Sequence, residues 1–305
     1  MKHDLKRGAL LLASATFFVA ALNALQKLTG TRLPALEIIF FRNLFSLPFV
    51  LLIASRTGIV LRTHHFRGHL IRSVVGLISM IMVVITVTRL PLAEQQVLSY
   101  TQPLFLVLLS IPLLHERPSL QRWIAVLIGF SGVVVVALGK GLLNTSATSV
   151  STAIYLLALA QGAVGALTTM QIRQLSATEA STTISLWQAI LMTVMTATPL
   201  PFIWVTPGWQ DGLCLVVVGA FAGIAQVLQT EAFASAQVSA IGPFAYTGLL
   251  WAALIGWLGF GEIPSSAMAA GAVLIIGSGV WMLRHDRASK ARDAIVATVE
   301  TAEGS

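Results

Sequence analysis

The sequence predicts an all-α integral membrane protein built from two inverted repeats of five transmembrane helices each. Three observations predict this class: an apolar composition, ten apolar runs of membrane-spanning length, and a pattern that recurs half a chain later. Hydrophobic residues make up 56% of the 305 residues, charged residues make up only 10%, and the mean hydropathy is +0.84. Soluble domains carry roughly 25% charged residues, so a soluble protein is excluded.

Ten apolar runs are long enough to cross the about 30 Å of hydrocarbon in a bilayer. Glycines, prolines and charged residues separate these runs, and no gap could hold a folded soluble domain. The predicted spans are 8–26, 35–54, 70–88, 93–113, 121–139, 151–171, 181–203, 212–230, 236–260 and 265–283. The eighth and ninth spans have the least distinct boundary, marked only by Glu231 and Gln237. Residues 284–305 are predicted to form a polar cytoplasmic tail.

Landmarks in the fourth span recur in the ninth. Tyr100-Thr101 returns as Tyr246-Thr247 and Glu116 returns as Glu262, in each case 146 positions later. This divides the chain into a first repeat at 8–139 and a second at 151–283. Because each repeat holds an odd number of spans, the second enters the bilayer from the opposite side. Many secondary transporters are built in this way, with their binding site near the midplane.

The basic residues predict the orientation of the chain. If the N-terminus is cytoplasmic, 14 of the 19 Lys and Arg residues lie on the cytoplasmic side. Four lie outside, namely Lys27, Arg32, Arg89 and Lys140, and Arg42 lies within a span. The positive-inside rule then places both termini in the cytoplasm of a multi-pass inner-membrane protein. The net charge of +7 reflects these loops, so the expected partners are the lipid bilayer and a small-molecule substrate, with no nucleic acid.

Polar residues inside the spans are candidates for a substrate cavity, because a polar group in hydrocarbon needs a partner or water. In the fourth span, Gln95, Ser99 and Gln102 fall on one stripe about 60° wide on a continuous helix. This stripe either makes interhelical hydrogen bonds or lines a cavity. Tyr100 and Tyr246 occupy equivalent repeat positions, where they either flank a ligand from both sides or pack at the repeat interface.

Three further cavity candidates lie in other spans. Asn23 is in the first span, Gln161 in the sixth and Trp251 in the ninth. Trp251 is the weakest of them, because membrane tryptophans commonly anchor a span at the interface. The first and sixth spans also match each other, since Thr16, Asn23 and Gln26 precede Gln161, Thr168 and Gln171 by 145 positions.

Charged residues within or beside the spans are candidates for coupling. Arg42 lies inside the second span, where an arginine costs about 2.5–3.5 kcal/mol on insertion scales, so it needs a partner. Glu37 lies about 140° away around the same helix and is poorly placed, which makes Glu94 the expected partner. A structural salt bridge, an anion site and a proton-linked switch all remain open for Arg42. Glu94 and Glu231 are the candidate titrating groups.

Prolines and glycines in the spans predict special backbone features. Pro103 and Pro243 each remove a helix hydrogen bond and predict a hinge or a static kink. Glycines predict close helix approach; they are Gly129 and Gly132 in the fifth span, Gly219 and Gly223 in the eighth, and Gly277 and Gly279 in the tenth.

Enzymatic chemistry has no support in the sequence. His64 and His65 have no carboxylate or thiol neighbours at metal-ligand spacing, and no Gly-rich phosphate loop is followed by Lys-Ser or Lys-Thr. Cys214 is the single cysteine, which excludes an internal disulfide. We therefore expect no catalytic residues, no metal and no cofactor.

Several features together resemble the EamA family of the drug/metabolite transporter superfamily. They are the two tandem halves, Glu37 with Arg42, Leu90-Pro91-Leu92-Ala93-Glu94 opening the fourth span, Pro103 within it, Glu116 at its end, and the glycine-rich fifth span. The resemblance implies a ten-helix carrier whose central cavity is lined by the first, third, fourth, sixth, eighth and ninth helices.

The first half is most similar to S-adenosylmethionine carriers and to exporters of amino-acid-derived metallophores. Three segments carry this similarity: Thr31-Arg32-Leu33, Phe40-Phe41-Arg42 and Gln121-Arg122-Trp123. The resemblance implies secondary-active transport, in the export direction, of a small polar or amphipathic metabolite such as an amino acid or its derivative, with proton coupling or exchange. S-adenosylmethionine, riboflavin or a drug-like compound is an alternative substrate, and a membrane-embedded enzyme or a channel is an alternative function. Both a monomer and a homodimer remain open.

Overall fold

A computed structural model describes residues 5–57, 63, 65–114, 119–139, 149–235, 241–282 and 284. The first repeat contains six helices: α1 (Leu5–Thr29), α2 (Ala35–Thr57), α3 (Phe66–Arg89), α4 (Leu92–Ser99), α5 (Gln102–Leu114) and α6 (Leu120–Gly139). The second contains α7 (Ser149–Leu175), α8 (Ser181–Ala197), the single turn α9 (Leu200–Ile203), α10 (Trp209–Ser235), a 3₁₀ helix (Gly242–Tyr246), α11 (Thr247–Phe260) and α12 (Ser266–Met282).

These segments are helical because an apolar run in lipid must satisfy its backbone hydrogen bonds internally. Within the described residues, eight helical segments are long and apolar enough to cross a membrane, and two shorter apolar helices are Thr183–Ala197 and Ser266–Met282. The all-helical membrane architecture is therefore confirmed. The tail predicted at 284–305 lies outside the described residues except for Arg284, and so do the landmarks Glu116 and Lys140.

Two predicted spans differ from the continuous helices expected. The fourth is divided into α4 and α5 at Tyr100-Thr101, and the described part of the ninth contains a 3₁₀ helix that passes into α11 at Tyr246-Thr247. Pro103 and Pro243 lie beside these two interruptions and supply no backbone N–H. The predicted stripe of Gln95, Ser99 and Gln102 assumed one continuous helix and is thus divided between two.

Helix packing follows the repeat. The α1 helix packs against α10 and α11, and in the same way α7 packs against α3 and against α4 and α5. Two contacts join corresponding elements directly, namely α2 with α8 and α4 with α11. The contacts of α1 with the second half thus have counterparts in the contacts of α7 with the first half.

The outer surface of the bundle is apolar. Phe202, Leu127, Leu250 and Val273 are each more than two-thirds exposed. Exposed apolar patches of this extent would aggregate in water, whereas they match the hydrocarbon of a bilayer. The buried polar side chains are correspondingly concentrated inside, where the helices face one another.

The glycine predictions have mixed outcomes. A methyl group on Gly132 would lie 2.7 Å from the carbonyl oxygen of Gly271, so α6 and α12 approach closely. Gly219 and Gly223 receive Phe45 and Phe49 of α2 in the same way. The prediction for Gly277 is wrong, because no atom of the described residues lies within 4 Å of the position that a side chain would occupy there.

Candidate functional site

The two helix interruptions meet in the interior of the bundle. At the first, the N–H groups of Tyr100 and Thr101 donate to the carbonyls of Val97 and Leu98, both at 3.1 Å, in three-residue rather than four-residue bonds. Because Pro103 has no N–H, the carbonyl of Ser99 loses its ordinary helical donor. Discontinuous helices at this position in a membrane bundle expose polar backbone where a solute can reach it.

Tyr100 and Tyr246 contact each other at this junction. Their ring centroids are 4.9 Å apart with an interplanar angle of 77°, an edge-to-face arrangement. The hydroxyl of Tyr100 donates to the carbonyl oxygen of Ala245 at 3.2 Å. The hydroxyl of Tyr246 occupies the space that a side chain at position 279 would need, so Gly279 is required there. The two tyrosines therefore pack at the repeat interface.

A hydrogen-bonded pair extends the junction into α1 and α11. The hydroxyls of Thr16 and Thr247 are 2.9 Å apart. Trp251 donates its ring N–H to the carbonyl oxygen of Ala13 at 3.2 Å and meets Phe17 edge to face at 5.3 Å. Trp251 therefore joins α11 to α1.

Gln161 joins three helices. Its side-chain oxygen accepts from the hydroxyl of Thr86 at 3.3 Å and from the amide of Gln95 at 3.4 Å, and all three residues are buried. Both distances are long for hydrogen bonds. Asn23 on α1 is also buried. The structure therefore brings three of the predicted polar residues, Gln95, Gln161 and Asn23, into the interior.

Gln102 and Ser99 have different surroundings. Gln102 donates to the hydroxyl of Thr169 at 2.9 Å and to the carbonyl of Gly165 at 3.3 Å. Ser99 bonds back to the carbonyl of Gln96 at 2.7 Å. Gln95 and Gln102 therefore both contact α7, as interhelical hydrogen bonding predicts, while Ser99 satisfies itself within α4.

The prediction that Arg42 pairs with Glu94 is wrong. Glu94 lies on α4 and accepts a hydrogen bond from the hydroxyl of Tyr155 on α7. Arg42 lies on α2 and faces α8 and α10, where it lines a cavity. The two residues therefore belong to different helix contacts, which the linear sequence does not specify. Glu231 pairs with Arg7 at 3.6 Å, with the side chains 44% and 64% exposed respectively.

At one end of the bundle, an ion pair that the sequence reasoning missed joins α1 to the end of α11. Lys27 at the end of α1 pairs with Glu262, which follows α11, and also donates to the carbonyl of Leu90. The other carboxylate oxygen of Glu262 accepts from the backbone N–H of Leu92 at 2.7 Å. Both charged side chains are about 15% exposed, so the pair is stronger than a surface pair. The repeat marked Glu262 as a landmark, which was the available signal.

Open space lies at the opposite end. A cleft of about 600 Å³ separates the start of α3 from the end of α7, and it is lined by His65, Phe66, Arg67, Gly68, Ile71, Gln171, Gln174, Leu175 and Thr178.

Gln26 and Gln171 occupy equivalent positions in the two repeats. The side-chain oxygen of Gln171 and both amide atoms of Gln26 are buried without a partner in the described structure.

In the part of the chain that the structure describes, the side chains offer no binding site for a metal ion. This part contains no group of three or more His, Cys, Asp and Glu side chains placed to hold an ion. The interior instead offers amides, hydroxyls and aromatic rings, which bind a solute by hydrogen bonds and stacking.

Comparison with known proteins agrees with this arrangement. The chain is 30% identical to a pseudopaline exporter of Pseudomonas aeruginosa, over 89% of this chain and 94% of the relative. It is 27% identical to a riboflavin transporter of Brucella anthropi (88% and 95% covered). It is 25% identical to an S-adenosylmethionine uptake transporter of Rickettsia bellii (88% and 90% covered).

A solved structure shares the fold, with a TM-score of 0.63 at 20% identity, covering 90% of this chain and 96% of that one. The model of the EamA-like transporter family matches twice, at residues 6–138 and 152–284. These two matches coincide with the duplicated halves whose interruptions meet at Tyr100 and Tyr246. The chain therefore belongs to the EamA-like transporter family.

Proposed function

We propose that this membrane transporter carries a small polar or amphipathic metabolite, of the amino-acid or amino-acid-derivative class, by alternating access. In this proposal, ten spans form two inverted repeats in the inner membrane with both termini in the cytoplasm. The observation that carries it is the contact between the two repeat-related helix interruptions. If the halves are inverted, Tyr100 and Tyr246 approach from opposite membrane faces, and they can meet only near the midplane.

The substrate site in this proposal surrounds the tyrosine pair. Tyr100 and Tyr246 offer aromatic faces and hydroxyls, and Gln95, Gln161 and Asn23 offer neutral donors and acceptors from neighbouring helices. Ser99, Gln102 and Trp251 complete it. Such a set suits a solute with both polar groups and an apolar or planar part. The relatives named for pseudopaline, riboflavin and S-adenosylmethionine support this substrate class.

Closure at one end and a cleft at the other support alternating access. With cytoplasmic termini, the Lys27–Glu262 pair lies on the outer side and the cleft between α3 and α7 opens on the cytoplasmic side. A carrier in this state loads its cargo from the cytoplasm and then breaks the outer pair as the halves rock. The relative named as an exporter supports net export. Exchange or a proton gradient drives the cycle, with Glu94 as the proton-binding group.

Counterflow in proteoliposomes tests the proposal. Vesicles are preloaded with S-adenosylmethionine, riboflavin or a mixture of amino acids, and the uptake of the matching radiolabelled solute is followed. A carrier accumulates label transiently and saturably above equilibrium for at least one of these solutes, and protein-free vesicles do not. Consumption of the solute would instead indicate an enzyme, and flux without saturation would indicate a channel; either result contradicts the proposal.

A further inference from the structure

A polar cavity lies between α2, α3, α8 and α10. Its volume is about 110 Å³, several times what a single water molecule needs. It is lined by Arg42, Asn43, Ser46, Val50, Met80, Ser185, Gln188, Ala189, Ala222 and Gln226. No lining residue belongs to α4 or α11, so this cavity supplies polar groups that the proposed substrate site at Tyr100 and Tyr246 does not itself contain.

Both repeats contribute equivalent positions to this cavity. Asn43 and Gln188 are 145 residues apart, and Met80 and Gln226 are 146 residues apart, which are the separations seen elsewhere between the repeats. The cavity therefore lies between the two halves. A group bound there would contact both halves at once, as a transported solute must when the halves move relative to each other.

Two arginines give the cavity a positive charge. Arg42 lines it directly and has neither a hydrogen bond nor an ion pair with any described residue. Arg72 on α3 is only 5% exposed and donates to the side-chain oxygen of Gln188 at 2.6 Å, and Gln188 itself lines the cavity. The Nε atom of Arg72 and the hydroxyl of the adjacent Ser73 are buried without partners in the described structure.

The carboxylates on the four helices are bound elsewhere. Glu37 accepts from the backbone N–H of Val205 at 3.2 Å, Asp211 pairs with Arg32 at 2.8 Å, and Glu231 pairs with Arg7. The described parts of α3 and α8 contain no acidic residue. Glu179, before α8, is 4.0 Å from His69 and accepts from Thr63. The described structure therefore places no protein anion beside Arg42.

We propose that this cavity binds an anionic group, the carboxylate of the transported metabolite, on Arg42 with Arg72 and Gln188 behind it. A guanidinium presents paired N–H donors that match a carboxylate in two parallel hydrogen bonds. Arg72 is buried and Arg42 is partly buried. An arginine held out of water without a counter-charge is costly, and a bound carboxylate would relieve this cost. The proposal rests on the proposed function, because it assigns a charged group to the same cargo.

The test uses acetate as the probe and acetamide as its neutral isostere. Thermal unfolding of the purified protein in a non-ionic detergent is compared in sodium acetate and in sodium chloride at equal ionic strength, and in chloride with added acetamide. We expect acetate to raise Tm by about 2 °C or more over chloride and acetamide to leave it unchanged. Equal Tm values in acetate and chloride would overturn the carboxylate assignment and indicate, at most, a site for any small anion.

Two variants and one control test whether the rise in Tm with acetate comes from binding in this cavity. Arg42→Gln is expected to abolish the acetate shift, and Arg32→Gln, which removes one positive charge from a half-exposed arginine outside the cavity, is expected to keep it. Gln188→Glu places a carboxylate beside Arg72, so it should raise Tm in chloride and leave no further acetate shift. An acetate shift that persists in both Arg42→Gln and Gln188→Glu would refute the site.

The outcome separates this inference from the proposed function. Wild-type counterflow without an acetate shift would leave the carrier standing and remove the anion site. An acetate shift located at Arg42 without counterflow of any solute would remove the carrier and retain the anion site.

Discussion

Single hydroxyl and amide groups in the bundle have two possible energetic roles. A hydrogen bond between membrane helices contributes only about 0.6 kcal/mol on average, so contacts such as Gln95 to Gln161 add little stability individually. The same groups left without partners, such as the amide of Gln26, are costly in a dry interior. A polar solute or water that satisfies them would therefore bind favourably.

Removing the two tyrosine hydroxyls tests whether the junction contacts cargo. Tyr100→Phe and Tyr246→Phe keep the edge-to-face rings but lose the hydroxyls, and a net hydrogen bond is worth about 0.5–1.5 kcal/mol. If each hydroxyl contacts the solute, KM for exchange rises about 2- to 10-fold in each variant. Tyr155→Phe is the matched control, because its hydroxyl contacts Glu94 and KM without a pH gradient should not change. Unchanged KM in both junction variants would exclude their hydroxyls from binding.

Glu94 and Glu231 differ in burial, and the difference predicts different effects. Glu94 is buried beside Tyr155, whereas Glu231 is exposed beside Arg7. Glu94→Gln is expected to abolish the stimulation of transport by an imposed pH gradient and to leave solute exchange active, since the amide cannot carry a proton. Glu231→Gln is expected to retain the stimulation. The two rates are measured in the same proteoliposomes, and stimulation that survives Glu94→Gln would count against a proton role.

Two kinds of close contact hold the helices together. Aromatic side chains of α2 fill the glycine positions of α10, and backbone meets backbone where α6 and α12 cross at Gly132 and Gly271. Lipid offers no hydrophobic driving force for helix association. The crossing of α6 and α12 depends on glycines, because their missing side chains let the two backbones come into contact. Close packing must then supply the attraction.

Adding one methyl group distinguishes the close crossing from an open glycine. A methyl on Gly132 would lie 2.7 Å from the Gly271 carbonyl oxygen, and one on Gly277 would meet nothing within 4 Å. Gly132→Ala is expected to destabilise the protein by about 1–3 kcal/mol and to lower Tm in detergent. Gly277→Ala, on α12 itself, should leave Tm unchanged or slightly raised. Equal effects of the two substitutions would contradict the crossing.

At the scale of the whole molecule, the proposed inverted arrangement fixes which side of the membrane each loop faces. Because the protein has one cysteine, Cys214→Ser provides a cysteine-free background. In that background we introduce Thr178→Cys, between α7 and α8, and Thr206→Cys, between α9 and α10; both positions are exposed.

A membrane-impermeant maleimide applied to intact cells should label Thr206→Cys and not Thr178→Cys, because the proposed topology has residue 206 outside and residue 178 in the cytoplasm. Labelling of both positions after permeabilisation is the control for reactivity. The reverse labelling pattern would contradict the proposed topology and would place the Lys27–Glu262 pair on the cytoplasmic side.

The sequence by itself determined the membrane class, the duplication and the family, because hydropathy and repeated landmarks such as Tyr100 and Tyr246 are properties of the linear chain. Only the tertiary structure decided the partners: Arg42 with a cavity instead of Glu94, Glu94 with Tyr155, and Lys27 with Glu262. In a bilayer, both lipid and neighbouring helices accept apolar side chains. The apolar pattern therefore does not specify how each helix is rotated, and rotation determines which polar groups meet.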